Sequence, residues 1–279
     1  PRRVGDFVRA AGGDLAAGQV VFGAGEVLGP GHLGVLASCG LARVAVGGRP
    51  TVGVLSTGDE LVEPGRELAP GQVRDSNRYI LLGLLERDGY RGVDLGIAVD
   101  DEGDITARLC EGARTCDAIV TSGGVSVGEF DFVRKVLDDL GEMAWMQIAI
   151  RPGKPFAFGR IDSVPVFGLA GNPVSTMVSY ELLARPGLRR RGGHREGDLF
   201  RPLQTGVAAD GSLRRRPDGR VHYARVVARP GADGRLSVMS AGGQESNLLV
   251  PMVRANALAV LTDGPGVEEG EPVEVMLLG

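Results

Sequence analysis

Apolar and polar positions along residues 50–190 alternate between two periods. Short β-branched or apolar runs predict buried strands. These runs occupy residues 51–57, 93–99, 118–121, 143–150 and 164–169. The segments between them repeat apolar residues every three or four positions, which predicts amphipathic helices. Strands that alternate with helices at this spacing predict βαβ units, and therefore an α/β fold with a doubly wound, mostly parallel sheet.

Several helix ends are also marked in the sequence. The residues Asp75-Ser76-Asn77 predict the start of a helix that ends near Gly89, and Asp101 is a second candidate cap. Asn172 predicts the cap of a helix that begins at Pro173, and Pro186-Gly187 predicts its end.

The segments on either side have a different character. After about residue 196 the helical period is lost, and Asp-Gly turn signals separate short apolar runs, which predicts a small all-β barrel domain. Residues 1–48 are rich in glycine and contain one short predicted helix between Pro30 and Gly40. We therefore predict three parts: a partial linker domain at 1–48, an α/β domain at 49–190 and a C-terminal β-barrel domain at 196–279.

Composition narrows the possible partners and the compartment. The formal net charge of -4 provides no overall positive field for nucleic acid or an anionic membrane. No apolar run approaches the length of a membrane span. The three cysteines show no metal-binding spacing, and without a signal peptide we expect a cytoplasmic protein. Because the sequence starts at Pro1 in mid-pattern, we interpret it as a fragment of a longer protein.

Three glycine-containing loops follow predicted strands. They are STGDEL at 56–61, TSGGVSVGEFD at 121–131 and GLAGNP at 168–173. In a parallel sheet, ligands bind beyond the carboxyl ends of the strands. Glycine lets backbone approach a ligand closely, and a helix N-terminus favours phosphate. Ser122, Ser126 and Asn172 add hydrogen-bond partners for a polar heterocycle.

Charged residues gather at the same strand ends. Several carboxylates beside an anion-binding surface would repel the ligand unless a divalent cation lies between them, and oxygen ligands select Mg²⁺. Glu60, Asp100 and Asp131 are therefore candidates to bind Mg²⁺ or to transfer protons. The turn RPGKP at 151–155 carries Arg151 and Lys154 on a stiff backbone suited to meet an anion.

Together these segments resemble the molybdopterin molybdenumtransferase family and the gephyrin E domain. The resemblance is carried by STGDEL at 56–61, DSN at 75–77, DD at 100–101, SGGVSVGEFD at 122–131, RPGKP at 151–155 and GLAGNPVS at 168–175. It covers nearly the whole chain and lacks the N-terminal region of the family. It implies a molybdopterin-binding α/β domain before the β-barrel domain, usually in a homodimer.

The resemblance implies a transferase of molybdenum cofactor biosynthesis. Such an enzyme takes adenylylated molybdopterin and molybdate, uses Mg²⁺, and releases AMP. It could also contact the molybdopterin adenylyltransferase that makes its substrate. A non-catalytic pterin-binding scaffold and the adenylyltransferase itself are the alternatives.

The resemblance also implies residue roles. Glu60, Asp100 and Asp131 match catalytic and metal-binding positions of the family. The pterin- and phosphate-binding positions are Thr57, Gly58, Ser122, Gly123, Gly124, Ser126, Gly128, Asn172 and Pro173. The molybdate- or anion-binding positions are Arg151, Lys154, Arg225 and Ser246, of which the last two are expected to face the active site across the dimer. Phe7, Gln147 and Ala170 depart from the family pattern.

Overall fold

The computed structural model describes residues 3–125, 132–231 and 233–279. Within these ranges the chain forms two six-stranded sheets and a two-stranded ribbon. The strands of the first sheet are β1 (Thr51–Thr57), β4 (Arg91–Ala98), β5 (Ala118–Ser122), β6 (Glu142–Gln147), β8 (Pro155–Ile161) and β9 (Val164–Leu169). Their order across the sheet is β4-β1-β5-β9-β8-β6. The ribbon pairs β2 (Leu61–Val62) with β3 (Val73–Arg74).

The first sheet is mostly parallel, as predicted. Strands β4, β1, β5 and β9 run in one direction, and only the pairs β9–β8 and β8–β6 are antiparallel. Strand β8 was not predicted, because its residues follow the RPGKP turn directly and show no clear two-residue period.

Helices pack on both faces of this sheet and bury one apolar cluster on each face. They are α2 (Asn77–Arg87), α3 (Glu102–Thr115), α4 (Phe132–Leu140), α5 (Pro173–Ser179) and α6 (Arg185–Arg191). Helix α2 and the α5–α6 segment share one apolar cluster with the sheet. Helices α3 and α4 share the other cluster. The sheet is therefore doubly wound.

The predicted end of a helix at Pro186-Gly187 is wrong. The chain passes from α5 through the π-helical residues Tyr180–Ala184 into α6, which ends at Arg191. A π turn is a common place for a helix to accommodate an interruption of its hydrogen-bond ladder. Gly187 also has a packing role, because a Cβ there would lie 2.7 Å from the Phe167 ring.

The second sheet closes into the predicted small barrel. Its strands are β10 (Leu203–Ala208), β11 (Val221–Pro230), β12 (Leu236–Ser240), β13 (Ala257–Leu261) and β14 (Pro272–Leu277). Pairing of β12 with both β10 and β11 closes the ring. The short helix α7 (Val250–Arg254) connects β12 to β13. A sixth strand, β7 (Ile150–Arg151), lies between β6 and β8 in the sequence but pairs in parallel with β11 of the barrel.

An ion-pair network joins the barrel to the helices of the first sheet. The Glu181 carboxylate accepts from Arg87 at 2.6 Å and from Arg201 at 2.7 Å. Arg87 also donates to the backbone carbonyl of Leu278 at 3.1 Å. Because Glu181 is buried, these contacts fix the barrel against α2 and the π turn.

The N-terminal segment has little core of its own. Helix α1 (Pro30–Ser38) forms between the predicted limits, and none of the described residues before Pro50 is buried. Arg195 holds this segment through Glu26 at 2.6 Å and the carbonyl of Ala24 at 3.1 Å. The domain boundaries given above stay predictions. Among the described residues, no helix combines the length and the apolar character needed to cross a membrane.

Candidate functional site

The candidate site lies at one edge of the first sheet. The carboxyl ends of the parallel strands β4, β1, β5 and β9 meet there. The antiparallel strand β8 starts at the same edge, since Phe156 pairs with Leu169. The loops after four strands and the 147–155 segment therefore converge along one line.

A large cleft separates this edge from the barrel. Its volume is about 1260 Å³, and both sheets contribute to its walls. The sequence-predicted residues that line it are Thr57, Gly58, Glu60, Asp100, Gly123, Gly124, Arg151, Lys154, Asn172, Pro173 and Ser246. The structure thus brings most of the predicted residues to one cavity.

The acidic end of the cleft lies beyond β1 and β4. Glu60 and Asp100 are exposed and line the cavity, and Asp59 accepts the backbone N–H of Asp100 at 2.9 Å. The third predicted carboxylate, Asp131, lies outside the described residues, as do Ser126 and Gly128. Within the described ranges, no three His, Cys, Asp or Glu side chains form a cluster suited to a metal ion.

The glycine loops occupy the middle of the cleft. Gly123 and Gly124 have φ values of 98° and 65°, where side chains are strained. A Cβ on Gly123 would lie 2.6 Å from the Thr57 carbonyl, and one on Gly124 would lie 2.3 Å from the Val133 side chain. Glycine is therefore required here by the packing of the protein itself, before any ligand is considered.

Ser122 does not reach the cavity. Its hydroxyl is buried and accepts from the Asn77 amide at 2.8 Å, while the same amide donates to the Gly171 carbonyl at 2.6 Å. Asn77 lines the cleft and ties the β5 loop to the β9 loop. It was not singled out from the sequence, although it belongs to the quoted DSN motif.

Asn172 occupies the predicted N-cap position of α5 but does not cap it with its side chain. Its amide donates instead to the Ser246 hydroxyl at 3.1 Å. The Ser246 carbonyl accepts from Val174 N–H at 3.1 Å, so the first turn of α5 is bonded to the barrel. Ser246 meets the cleft within one chain, whereas the family resemblance led us to expect it across a dimer.

The cationic end of the cleft lies further along the same edge of the sheet, beyond β9 and at the start of β8. Arg151 and Lys154 line the cavity, and both are exposed. Strand β8, which follows them, is three strand positions from β1. At about 4.8 Å per step, roughly 14 Å therefore separates the acidic strand ends from the cationic turn.

The anion-binding role predicted for Arg225 does not fit its position. The side chain is only 1% exposed and does not line the cleft. Its guanidinium donates to the carbonyls of Leu248, Gly243 and Glu245 at 2.5, 2.7 and 2.9 Å. Burial lowers the pKa of Arg225, although arginine remains charged in proteins. The sequence shows the charge of Arg225 but not the loop whose three carbonyls accept hydrogen bonds from its guanidinium.

A smaller hollow adjoins the cleft beside its cationic end. Its volume is about 290 Å³, and it shares Val125, Lys154 and Pro155 with the cleft. Gln147 and Trp145 line it, so the Gln147 departure from the family pattern faces this hollow.

Arg220 and Glu245 also line the cleft and were not predicted from the sequence. Both belong to the barrel region, where no motif distinguishes a cleft residue from a solvent-exposed one. Arg220 reaches the cleft because β11 follows it directly and pairs with β7.

Comparisons with known proteins agree with this architecture. Residues 53–190 match a family described as the probable molybdopterin binding domain, and residues 212–278 match the MoeA C-terminal region (domain IV). A molybdopterin molybdenumtransferase from Haemophilus influenzae is 38% identical over 96% of this chain and 66% of its own length. One from a Nostoc species is 32% identical over 98% of this chain and 63% of its own length.

A solved structure supports the same relationship. The molybdopterin biosynthesis MoeA protein from Pyrococcus horikoshii is 31% identical and aligns with a TM-score of 0.72 over 91% of this chain and 60% of its own. The chain thus spans less than two thirds of the length of the curated relatives it matches. On the two matched regions and the sequence identity that extends over nearly all of its residues, the chain belongs to the molybdopterin molybdenumtransferase family.

Proposed function

We propose that the protein inserts molybdate into adenylylated molybdopterin and releases AMP during molybdenum cofactor biosynthesis. The observation that carries this proposal is the arrangement of the cleft. Carboxylates lie at one end, glycine loops in the middle and cationic side chains at the other end. The curated relatives named above are molybdopterin molybdenumtransferases, which supports the same reaction for this chain.

In this proposal the middle of the cleft binds the pterin and its phosphate. The Gly123–Gly124 loop presents backbone with no side chain in the way. Neighbouring Thr57 and Asn172 contribute polar groups. Holding an extended substrate along these loops lowers the entropic cost of reaching the reactive geometry. The Asn77 bonds keep the β5 and β9 loops at a fixed separation while the substrate binds.

The acidic end fits the proposed Mg²⁺. Mg²⁺ is commonly held by one or two carboxylates, water and substrate phosphates rather than by a complete protein cage. Glu60 and Asp100 supply two exposed carboxylates on one cleft, and Asp131 is proposed as the third acidic residue. When bound, the ion would neutralise charge on the phosphoryl oxygens of the adenylyl bond.

The cationic end fits molybdate, which is a dianion. Arg151 and Lys154 lie three positions apart on one stiff turn, and both line the cleft. In the proposed reaction, water cleaves the adenylyl–phosphate bond and AMP departs. The two dithiolene thiols then bind molybdenum, and one molybdate oxygen leaves with the two thiol protons as water. The cationic side chains attract molybdate and keep it near the end of the pterin-binding loops.

Three further properties belong to this proposal. We propose that the protein acts as a homodimer in the cytoplasm, that it receives its substrate by contact with a molybdopterin adenylyltransferase, and that the 49–190 and 196–279 regions are separate domains. The cleft itself uses both regions, because Ser246 and Arg220 from the barrel line it.

The direct test is AMP release by the complete protein mixed with adenylylated molybdopterin, molybdate and Mg²⁺. We expect release in wild type and its loss in Asp131→Asn and in Glu60→Gln, with unchanged circular dichroism. Glu67→Gln is a matched control, because Glu67 is exposed and does not line the cleft. Tight pterin binding without AMP release would identify a scaffold instead of an enzyme, and normal insertion by Asp131→Asn would refute the acidic-site assignment.

A further inference from the structure

A polar cluster joins the barrel to the cationic turn at the mouth of the cleft. The Asp218 carboxylate lies 2.6 Å from a nitrogen of Arg215, 3.1 Å from His222, 3.2 Å from Arg220 and 3.4 Å from Arg151. One carboxylate thus contacts three guanidinium groups and an imidazole.

The members of this cluster come from the barrel and from the segment that connects two strands of the first sheet. Arg151 belongs to the segment between β6 and β8 of the first sheet, and Asp218 and Arg220 precede β11 of the barrel. Pairing of β7 with β11 brings the two segments together, with Arg151 opposite His222. The backbone therefore sets the separation of Arg151 and Arg220, and both side chains line the cleft.

The guanidinium of Arg215 is buried and hydrogen-bonded to other residues of the barrel. This group donates to the carbonyls of Arg220, Leu261 and Thr262 and to the Asp263 carboxylate, and the Arg215 side chain is 5% exposed. Asp263 also accepts the backbone N–H of Asp218 at 3.0 Å. Arg215 and Asp263 therefore balance each other's charge and hold the Asp218 loop in place.

The remaining charges do not balance. Once Arg215 is matched with Asp263, the single carboxylate of Asp218 faces both Arg151 and Arg220. These two side chains are 59% and 34% exposed. Lys154 follows on the same turn, and no ion pair joins it to another residue in the described ranges. The cationic end thus carries excess positive charge on its cleft side.

The protonation states support this imbalance at neutral pH. Burial opposes ionisation of Asp218, but its hydrogen bond to His222 and the nearby arginines outweigh that effect and lower its pKa to about 2. Burial is the main cause that lowers the pKa of His222, against the opposing effect of Asp218. The aspartate is therefore charged, and the histidine is neutral.

We infer that Arg220 and Arg151 form a two-arginine site for a tetrahedral oxyanion at the mouth of the cleft, and that Asp218 is the positioning residue that holds the pair in place. This inference rests on the proposed function, and it assigns a barrel residue to anion binding. The oxyanion is either molybdate or the phosphate of the pterin substrate. Arginine suits both, because its planar N–H groups match oxyanion geometry.

The test is isothermal titration of the complete protein with molybdate, with inorganic phosphate and with adenylylated molybdopterin. We expect Arg220→Gln and Arg151→Gln each to weaken oxyanion binding at least about tenfold, the effect of losing a charge-assisted hydrogen bond. Arg220→Lys should recover part of the loss. Arg216→Gln removes an exposed arginine of the same loop and should leave affinity unchanged.

The Asp218→Asn variant distinguishes the positioning role of Asp218 from the effect of its negative charge on anion affinity. Removal of a negative charge beside an anion site would by itself tighten binding, whereas loss of the positioning contact weakens it. We expect weaker binding of the oxyanion, with melting temperatures showing that the variant is folded. Tighter binding by Asp218→Asn would overturn the positioning role, and unchanged affinity in both arginine variants would overturn the site.

The affinities of the arginine variants for the different ligands identify the oxyanion. Weaker binding of molybdate with normal affinity for adenylylated molybdopterin assigns the site to molybdate, and the reverse pattern assigns it to the pterin phosphate. If wild type binds the oxyanion through Arg220 but releases no AMP, the proposed function fails while the arginine site stands. If AMP is released with equal efficiency by the Arg220 and Arg151 variants, the proposed function stands without this site.

Discussion

Substitution of Arg225 by methionine tests whether this residue binds ligand or supports the barrel. Methionine keeps an unbranched apolar stem in the buried position and removes the guanidinium. Three backbone carbonyls, at residues 243, 245 and 248, then lose their donor. A hydrogen bond from a charged group contributes about 1.5–3 kcal/mol, and water reaches part of this exposed loop. Counting about 1 kcal/mol for each lost bond gives a destabilisation on the order of 3 kcal/mol.

Urea denaturation and thermal melting measure this effect directly. For a protein of this size, about 3 kcal/mol lowers the melting temperature by roughly 6–12 °C. Hydrogen exchange of the 243–248 amides should accelerate, because Arg225 links three of those residues. Arg229→Met is the matched control, since Arg229 is an exposed residue on the same strand β11 and its loss should change stability by less than about 0.5 kcal/mol.

A ligand-binding role for Arg225 would give a different result. If Arg225→Met had the melting temperature of wild type and lost only its affinity for molybdate, the guanidinium would bind the anion. The three hydrogen bonds to the carbonyls would then contribute little to stability. Arg225→Lys sharpens the comparison. A lysine retains the positive charge but cannot present the planar guanidinium fork to three carbonyls, so stability should fall with lysine as well.

Three other substitutions test the site and its supports. Gly124→Ala would place a Cβ against the Val133 side chain at a φ of 65°, and we expect a loss of about 3 kcal/mol in the free energy of unfolding measured by urea titration. Gly65→Ala is the control, because Gly65 has a φ of 88° but open space around it, and we expect a loss of about 1 kcal/mol. Asn77→Ala removes the donor to Ser122 and Gly171 and should cost about 2 kcal/mol by the same measurement; an unchanged midpoint would show that the two loops hold each other without it. Asp218 has a pKa of about 2 against an ordinary value of 3.8, so its contribution to stability is complete above about pH 4 and is lost as the pH falls through 2. In Asp218→Asn the urea midpoint should therefore fall less between pH 4 and pH 2 than in wild type, and equal falls would refute this linkage.

The convergence of the predicted loops could be inferred from sequence because it follows from topology. Once alternating strands and helices imply a parallel sheet, the loops after β1, β4, β5 and β9 must share an edge. The position of Lys154 could be inferred only in part. Its turn was recognised, but the crossing of β7 to the barrel depends on a pairing with residues 221–222, about seventy positions further along the chain.

Side-chain environments were the part that sequence could not supply. Asn172 was predicted as a cap from its type and position, yet its amide bonds to Ser246 because the barrel lies against the start of α5. Asp101 carries the same kind of signal and does cap its helix, through Asp104 N–H at 2.9 Å. The two residues differ only in what the rest of the fold places beside them.

The crossing strand β7 explains why the cleft cannot be assigned to either sheet alone. The first sheet supplies the carboxylates, the glycine loops and the cationic turn. The barrel supplies Ser246 through the loop that Arg225 holds, and Arg220 through the cluster that Asp218 holds. Because β7 pairs with β11 while its flanking strands remain in the first sheet, any rotation of the barrel would move Arg151 together with Arg220. Motion of the barrel would therefore change the distance from the two arginines to the carboxylates, while the distance between the arginines stays the same.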